Sequence, residues 1–198
     1  MKTCFLILVE DKNLAKTIVS LEENSVRPDK YVLLLNKATS EENGNIAKSL
    51  SGSCCGKEAQ NYTSGEYDIS VKDNFLVTKI TDKARAIDYL TSNILDDVDI
   101  VFTATSGTVF DSKYIEKVLT QFEDENVGLV YSDYFSDGVT SYLQYIQPML
   151  TAPINIKEVA VRRSTLLVRQ FKNKAFDFAM DVFTGAIIRH IPEELYAT

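Results

Sequence analysis

Short, unbroken runs of apolar residues recur along this chain, and they constrain its fold more than any other feature. The runs cover residues 4–9, 31–35, 75–80, 99–103 and 127–132. They do not alternate polar and apolar residues, which is typical of strands buried on both faces of a largely parallel sheet. Since parallel strands need long crossover connections, the segments between the runs are expected to contain helices.

Three of the connecting segments have apolar residues at helical spacing, so that each set lies on one helix face. The sets are Leu14, Ile18 and Leu21; Ile87, Leu90 and Ile94; and Tyr114, Ile115, Val118, Leu119 and Phe122. Residues 49–67 lack this spacing and are interpreted as a loop. The pattern predicts a Rossmann-like α/β fold of three layers, α/β/α, with a mostly parallel central sheet.

Ligands of such folds bind beyond the carboxyl ends of the strands, so the residues that follow each run are the candidate binding residues. At the end of the first run these are Val9, Glu10 and Asp11, and after the second run they are Asn36 and Lys37. The fourth run leads into the remaining candidates, which are Thr103, Ala104, Thr105 and Ser106. If a nucleotide binds, we expect it to lie across these three strand ends.

Length, charge and cysteine content limit the classes of function. The chain has 198 residues, enough for one domain, and a formal net charge of −7, which argues against a surface for nucleic acid. No stretch approaches the roughly 20 apolar residues that cross a bilayer. Cys4, Cys54 and Cys55 are odd in number, which is typical of free thiols in a reducing compartment and predicts a cytoplasmic protein.

Zinc and cysteine chemistry find little support in the sequence. Two adjacent cysteines, Cys54 and Cys55, cannot easily ligate the same tetrahedral ion, and His190 is the one histidine of the chain. A histidine in a strand-like segment is more often a packing residue or a hydrogen-bonding group than a catalytic base. We interpret His190 in that way.

Several segments together carry a resemblance to a known family. They are residues 20–35, the strand at 99–103, the helix at 112–122, the strand at 127–133 and the ending at 185–196, which contains Ile191-Pro192-Glu193-Glu194-Leu195-Tyr196. These segments resemble a family 2 glycosyltransferase of the GT-A fold over nearly the whole chain. The resemblance implies one domain, 1–198, with a nucleotide-binding half at 1–133 and an acceptor half at 134–198.

The chain departs from this family where the family binds metal and base. An Asp-x-Asp motif that holds Mn²⁺ or Mg²⁺ against the donor diphosphate is expected after the fourth run, where this chain has Thr103-Ala104-Thr105-Ser106-Gly107. An acidic residue that recognises the base is expected after the second run, where Asn36 and Lys37 stand. Hard cations prefer carboxylate oxygens, so the sequence predicts no metal residues and little dependence on Mn²⁺ or Mg²⁺.

The resemblance also assigns a catalytic base and a cation. In the family a carboxylate at the start of the helix before the closing segment deprotonates the acceptor, and Asp177 holds that position, with Asp181 one turn later. Arg85 lies in Lys83-Ala84-Arg85, which is similar to the Ala-Arg segment of the family. Arg85 or Lys37 could therefore neutralise phosphate charge without a metal.

Two functions remain open at this point. The first is transfer of a sugar from a nucleotide-diphosphate donor, with UDP-sugar the expected donor, to a hydroxyl of a glycan, lipid or protein. The second is a GT-A scaffold that has lost its chemistry and serves as a binding or assembly module. A dehydrogenase or P-loop enzyme is disfavoured because no Gly-x-Gly-x-x-Gly follows the first run.

Overall fold

Strands and helices follow one another along the chain much as the apolar runs indicate. The computed structural model describes residues 1–51, 60–64, 67–81, 83–141, 158–167 and 187–198. The first half contains β1 (Thr3–Val9), α1 (Leu14–Glu22), β2 (Lys30–Leu35), α2 (Glu41–Leu50), β3 (Gln60–Ser64), β4 (Tyr67–Lys72), β5 (Phe75–Lys79) and α3 (Lys83–Asn93). The second half contains β6 (Ile100–Thr105), β7 (Val109–Phe110), α4 (Tyr114–Gln121), β8 (Val127–Ser136), β9 (Val139–Ser141), β10 (Ala160–Arg162), α5 (Arg163–Leu167) and β11 (Ile187–Ala197).

These strands form one sheet in the order β3-β4-β5-β2-β1-β6-β10-β8-β11-β7, and β9 pairs with β8. The four central strands β5, β2, β1 and β6 are parallel neighbours. β10 is antiparallel to both β6 and β8, so β8 and its parallel neighbour β11 run in the same direction as β1. The predicted α/β fold with a mostly parallel central sheet is therefore confirmed.

Helices cover both faces of the sheet, because successive side chains of a buried strand point to opposite sides. On one face the apolar residues of α1, α2 and α4 pack against Phe5, Ile7 and Val9 of β1. On the other face α3 and α5 pack against Cys4, Leu6 and Leu8 of the same strand. The three layers explain why the apolar runs of the sequence do not alternate.

Two differences from the sequence prediction concern the end of β6 and the segment 49–67. β6 continues to Thr105, so Thr103 and Ala104 lie inside the strand and are buried. The segment interpreted as a loop, 49–67, includes the end of α2 and a strand, β3, that pairs antiparallel with β4. β3 lies at the rim of the sheet, and its polar sequence lacks the apolar run by which the buried strands were predicted.

No helix among the described residues is long and apolar enough to cross a membrane.

Candidate functional site

The carboxyl ends of β2, β1 and β6 meet at one edge of the sheet. These strands are adjacent and parallel, in the order β2-β1-β6. The residues at these strand ends and just after them therefore lie along one edge, and they include Val9, Glu10, Asp11, Asn36, Lys37 and Ser106. Val9 and Ser106 are buried, Glu10 and Asn36 are partly exposed, and Asp11 and Lys37 are exposed.

Ser106 ties the end of β6 to the end of β1. The Glu10 N–H donates to Ser106 Oγ at 2.9 Å, and the Ser106 N–H donates to the Leu8 carbonyl at 2.9 Å. Ser106 is 1% exposed, so its hydroxyl holds the turn after β1 rather than standing free in the edge. Glu10 and Ser106, both candidate residues, are thus direct neighbours.

Asn43 of α2 also forms hydrogen bonds with the turn after β1. Its Nδ2 donates to the Glu10 carbonyl at 2.7 Å and to the Lys12 carbonyl at 2.6 Å, and its Oδ1 accepts from the Leu14 N–H at 3.2 Å. The sequence prediction missed this residue, although Ser40, which caps α2 by accepting from the Asn43 N–H, is a recognisable helix start. Asn43 fixes where the turn after β1 lies.

Gly107 lets the turn after β6 approach the turn after β1 closely. Its φ is +95°, a conformation that favours glycine, and its N–H donates to Thr17 Oγ1 at 2.9 Å. A Cβ on Gly107 would lie 2.6 Å from Lys12 Cβ and 3.0 Å from Lys12 Cδ. The Lys12 side chain therefore lies across Gly107, which brings an exposed lysine, absent from the sequence prediction, to the end of β6.

The end of β6 has few free polar groups. Thr103 Oγ1 accepts from the Val159 N–H at 3.0 Å, and Ala104 is fully buried. The Thr105 N–H donates at 3.0 Å to Oε1 of Glu158, which precedes β10. Thr103 and Ala104 therefore face the interior of the sheet layers, and Thr105 and Ser106 are the residues of this stretch that lie at the edge.

Glu158 is a buried acidic residue that the sequence prediction missed. It is 1% exposed, its Oε1 also accepts from Thr108 Oγ1 at 2.9 Å, and its N–H donates to Tyr196 Oη at 3.2 Å. Burial, and after it the charge of Glu158, raises the pKa of the phenols of Tyr114 and Tyr196. Both phenols are therefore neutral at pH 7.

The described groups at this edge do not fit a divalent cation. Among the described residues, no three acidic, histidine or cysteine side chains come together as a metal site. The hydroxyls of Thr103 and Ser106 are engaged with backbone N–H groups, and Glu158 is buried and hydrogen-bonded. Asp111 lies beyond β7, where its Oδ1 accepts from the Lys113 N–H at 2.9 Å. No step of the chemistry is therefore assigned to a metal.

A cavity of about 470 Å³ opens beside the edge, between α2 and the ends of β2 and β5. Its lining includes Asn36, Lys37 and Lys79 from the strand ends, and Glu41 and Lys48 from α2. The three lysines are exposed, and none of them forms an ion pair within the part of the chain that the structure describes. In a chain of net charge −7, this cavity is a local concentration of positive charge.

Four further residues of the sequence analysis, Arg85, Asp177, Asp181 and His190, are not at this edge or are not described there. Arg85 lies in the first turn of α3, and its side chain is outside the described part of the structure. Asp177 and Asp181 lie outside the described residues. His190 on β11 forms a 2.8 Å hydrogen bond through Nε2 with Asp133 Oδ1 and stacks on Tyr131 at 4.8 Å, in agreement with its interpretation as a packing and hydrogen-bonding residue.

No protein-family model matches the chain, and no curated protein sequence matches it. Several solved structures do match the chain. TarS 1-349 from S. aureus superposes with a TM-score of 0.65 at 11% identity, over 100% of this chain and 60% of that chain. TarS 1-349 in complex with UDP-GlcNAc has a TM-score of 0.63 at 10% identity and is covered over 58% of its length.

A third solved structure comes from a different organism. The mannosyltransferase PcManGT from Pyrobaculum calidifontis, in complex with GDP-Man and Mn²⁺, has a TM-score of 0.64 at 10% identity. The chain aligns over its whole length but spans 56% of PcManGT, and it spans 60% or less of the TarS chains. Identities this low are evidence for a common fold and not for a common activity. The chain therefore has the fold of the GT-A-type glycosyltransferases.

Proposed function

We propose that the chain binds a nucleoside diphosphate sugar across the ends of β2, β1 and β6 and transfers the sugar to an acceptor hydroxyl, as a relative of family 2. The observation that carries this proposal is the joined edge beside a positively charged cavity. Ser106 bonds the end of β6 to the turn after β1, and Thr39 bonds Asn36 at the end of β2 to the Val9 carbonyl at the end of β1. The similar structures support it, since TarS was solved with UDP-GlcNAc and PcManGT with GDP-Man.

Lys12 is the group that we propose to neutralise the diphosphate. Its side chain lies across Gly107 at the end of β6, where the family resemblance expects a metal, and its backbone is held through Asn43. An ammonium that contacts phosphate oxygens offsets their charge without a metal ion. Arg85 and Lys37, which the sequence analysis offered for this task, remain candidates for further phosphate contacts.

In the transfer step, the acceptor oxygen forms a bond to the anomeric carbon of the sugar while the bond from that carbon to the phosphate oxygen breaks. The nucleoside diphosphate leaves with the bonding electron pair, and a carboxylate takes the hydroxyl proton. We propose that Asp177 is the carboxylate that takes this proton. In this proposal residues 1–133 bind the donor and residues 134–198 bind the acceptor. The acceptor is a glycan, a lipid or a protein hydroxyl.

Calorimetry of the full chain with UDP, GDP, CDP and ADP tests donor binding and metal dependence together. We expect the chain to bind nucleotide in EDTA, and we expect added Mn²⁺ to change the affinity by less than about twofold. The reason is that the described groups offer no set of carboxylates to a hard cation. Lys12→Met should weaken binding by about 10- to 100-fold, the size of a lost hydrogen bond to a charged group. Lys16→Met, an exposed lysine on α1, is the matched control and should leave binding unchanged.

Two results would contradict this account. Nucleotide affinity that is equal in the Lys12→Met and Lys16→Met chains would remove Lys12 from the site. Binding that requires Mn²⁺ and disappears in Asp111→Asn would show that a metal is held beyond β7, at a carboxylate that we place outside the site.

A second candidate function, a binding module without chemistry, is favoured by the engaged hydroxyls at the end of β6. Asp177→Asn separates the two functions. For a transferase, turnover should fall by about 10²- to 10⁴-fold while donor binding persists, because the isosteric amide cannot accept the proton. Donor binding with no transfer or donor hydrolysis by the unmodified chain would favour the binding module.

A further inference from the structure

Asn36 ends β2 and lines the cavity, and three of its four polar groups are engaged in the turn that follows the strand. Its N–H donates to Thr39 Oγ1 at 2.9 Å, its carbonyl accepts from the Thr39 N–H at 3.3 Å, and its Oδ1 accepts from the Ala38 N–H at 2.7 Å. The side-chain NH₂ is the remaining group, and it has no partner within the described residues. The turn therefore holds Asn36 rigidly and leaves it a hydrogen-bond donor.

The orientation of this amide follows from its partner. If the amide were flipped, its NH₂ would face the Ala38 N–H, and two donors would stand 2.7 Å apart. The oxygen must therefore face Ala38. The NH₂ is the polar group of Asn36 without a partner among the described residues, and we take it as the group offered to a ligand in the cavity.

Two lysines of this wall of the cavity also donate. Lys37 and Lys79 have donors and no acceptor on their side chains, and the Leu35 carbonyl already accepts from the Ile80 N–H at 2.7 Å. The α2 wall differs because Glu41 supplies a carboxylate. A ligand that fits this cavity has acceptors on the side that faces the strand ends and can present a donor to α2.

We infer that this cavity receives the base of the donor nucleotide and selects a base whose ring nitrogen is an acceptor and whose exocyclic group is an amine, as in cytosine and adenine. The inference rests on the proposed function, and it replaces the sequence-level expectation of UDP. Uracil and guanine have an N–H at the corresponding ring position. That N–H would face the NH₂ of Asn36, and both donors would lose their partners on leaving water.

The glycine at position 44 is further evidence that the base binds in this cavity. It lies on α2 in the lining, and a Cβ on Gly44 would have no atom within 4 Å. Glycine in a helix interior is unfavourable by about 0.5–1 kcal/mol relative to alanine. Its presence on α2 keeps this side of the cavity open, in a volume of about 470 Å³ that falls in the usual range for small-molecule sites.

The test compares nucleotides that differ at this ring position and share their ring size. Calorimetry of the full chain in EDTA is run with CDP against UDP, and with ADP against GDP. We expect the aminated member of each pair to bind about tenfold more tightly or better, since one unmatched donor pair costs at least that much. The pair with the higher affinities tells whether the base is a pyrimidine or a purine. UDP and GDP binding as tightly as CDP and ADP would overturn the inference.

Asn36→Asp tests the inference more directly, because the aspartate keeps the oxygen that faces Ala38 and has an acceptor oxygen in place of the NH₂. The preference within each pair should then reverse. Asn93→Asp, at an exposed residue near the end of α3, makes the same change of charge and should leave the ratios unaltered. Ratios that are the same in Asn36→Asp and in the unmodified chain would also overturn the inference.

Gly44→Leu provides a variant that does not touch the turn after β2. Its side chain enters open space, so the chain should fold, and it should weaken binding of all four nucleotides and abolish their differences. Base discrimination that persists in Gly44→Leu would place the base elsewhere. Binding without base discrimination refutes this inference alone, whereas the absence of binding by any of the four nucleotides refutes the proposed function as well.

Discussion

Asn43→Ala should destabilise the chain measurably through the turn after β1. The substitution removes the hydrogen bonds from Nδ2 to the Glu10 and Lys12 carbonyls and the one that Oδ1 accepts from the Leu14 N–H, at a site that is 3% exposed. Three bonds at about 1 kcal/mol each amount to about 3 kcal/mol. Alanine is the better helix former by about 0.5 kcal/mol, which leaves a net loss of roughly 2–3 kcal/mol.

Urea denaturation followed by circular dichroism measures this loss as a lower midpoint. In a thermal scan the same loss corresponds to about 4–12 °C for a chain of this size. Asn45→Ala on the same helix is the control. Asn45 is exposed and makes no described hydrogen bond, so its substitution should change stability by less than about 0.5 kcal/mol. Equal midpoints for the two variants would show that Asn43 does not hold the turn.

Three other predictions follow from single residues. Gly107→Ala should cost about 1–3 kcal/mol of unfolding free energy, because φ is +95° and the new Cβ meets Lys12; a denaturation midpoint equal to that of the unmodified chain would contradict this. Burial raises the pKa of the Cys4 thiol, so in a chain whose other two cysteines are replaced by serine we expect a thiol reagent to react only after denaturant is added. The hydrogen bond from Lys30 holds the pKa of Asp97 below its usual value, so this carboxylate stabilises the fold above its unfolded pKa, and the contribution is lost as the pH falls through the lowered folded pKa. Lys30→Met should therefore raise the pKa of Asp97 in an NMR titration and reduce the stability lost between neutral and acidic pH.

The arrangement of the central sheet was predictable from the sequence because burial on both faces leaves a local signature. Each central strand must be apolar along its whole length, and each covering helix must have an apolar stripe. The carboxyl edge could be located for the same reason. Parallel neighbours end on the same side, so the positions after the runs, such as Glu10, Asn36 and Ser106, were expected to meet.

Polar residues have no comparable signature, since their role depends on which backbone groups the fold brings to them. Asn43 and Glu158 look like ordinary polar residues in the sequence. In the fold they are 3% and 1% exposed and bind the turns after β1 and β6. Thr103 was expected at the edge, but β6 continues through Ala104 and Thr105, which pair with β1. Thr103 therefore lies inside the strand, where its hydroxyl accepts from the Val159 N–H.

The chemistry offered to a ligand was likewise decided by tertiary structure. The sequence by itself determines that Asn36 follows β2 and that no Asp-x-Asp motif follows β6. Only the folded turn engages the oxygen of Asn36 and leaves its NH₂, and only Gly107 with φ of +95° lets Lys12 lie at the end of β6. Apolar periodicity is repeated over many residues and survives substitution, whereas a hydrogen bond depends on two atoms that are distant in sequence and meet only when the chain is folded.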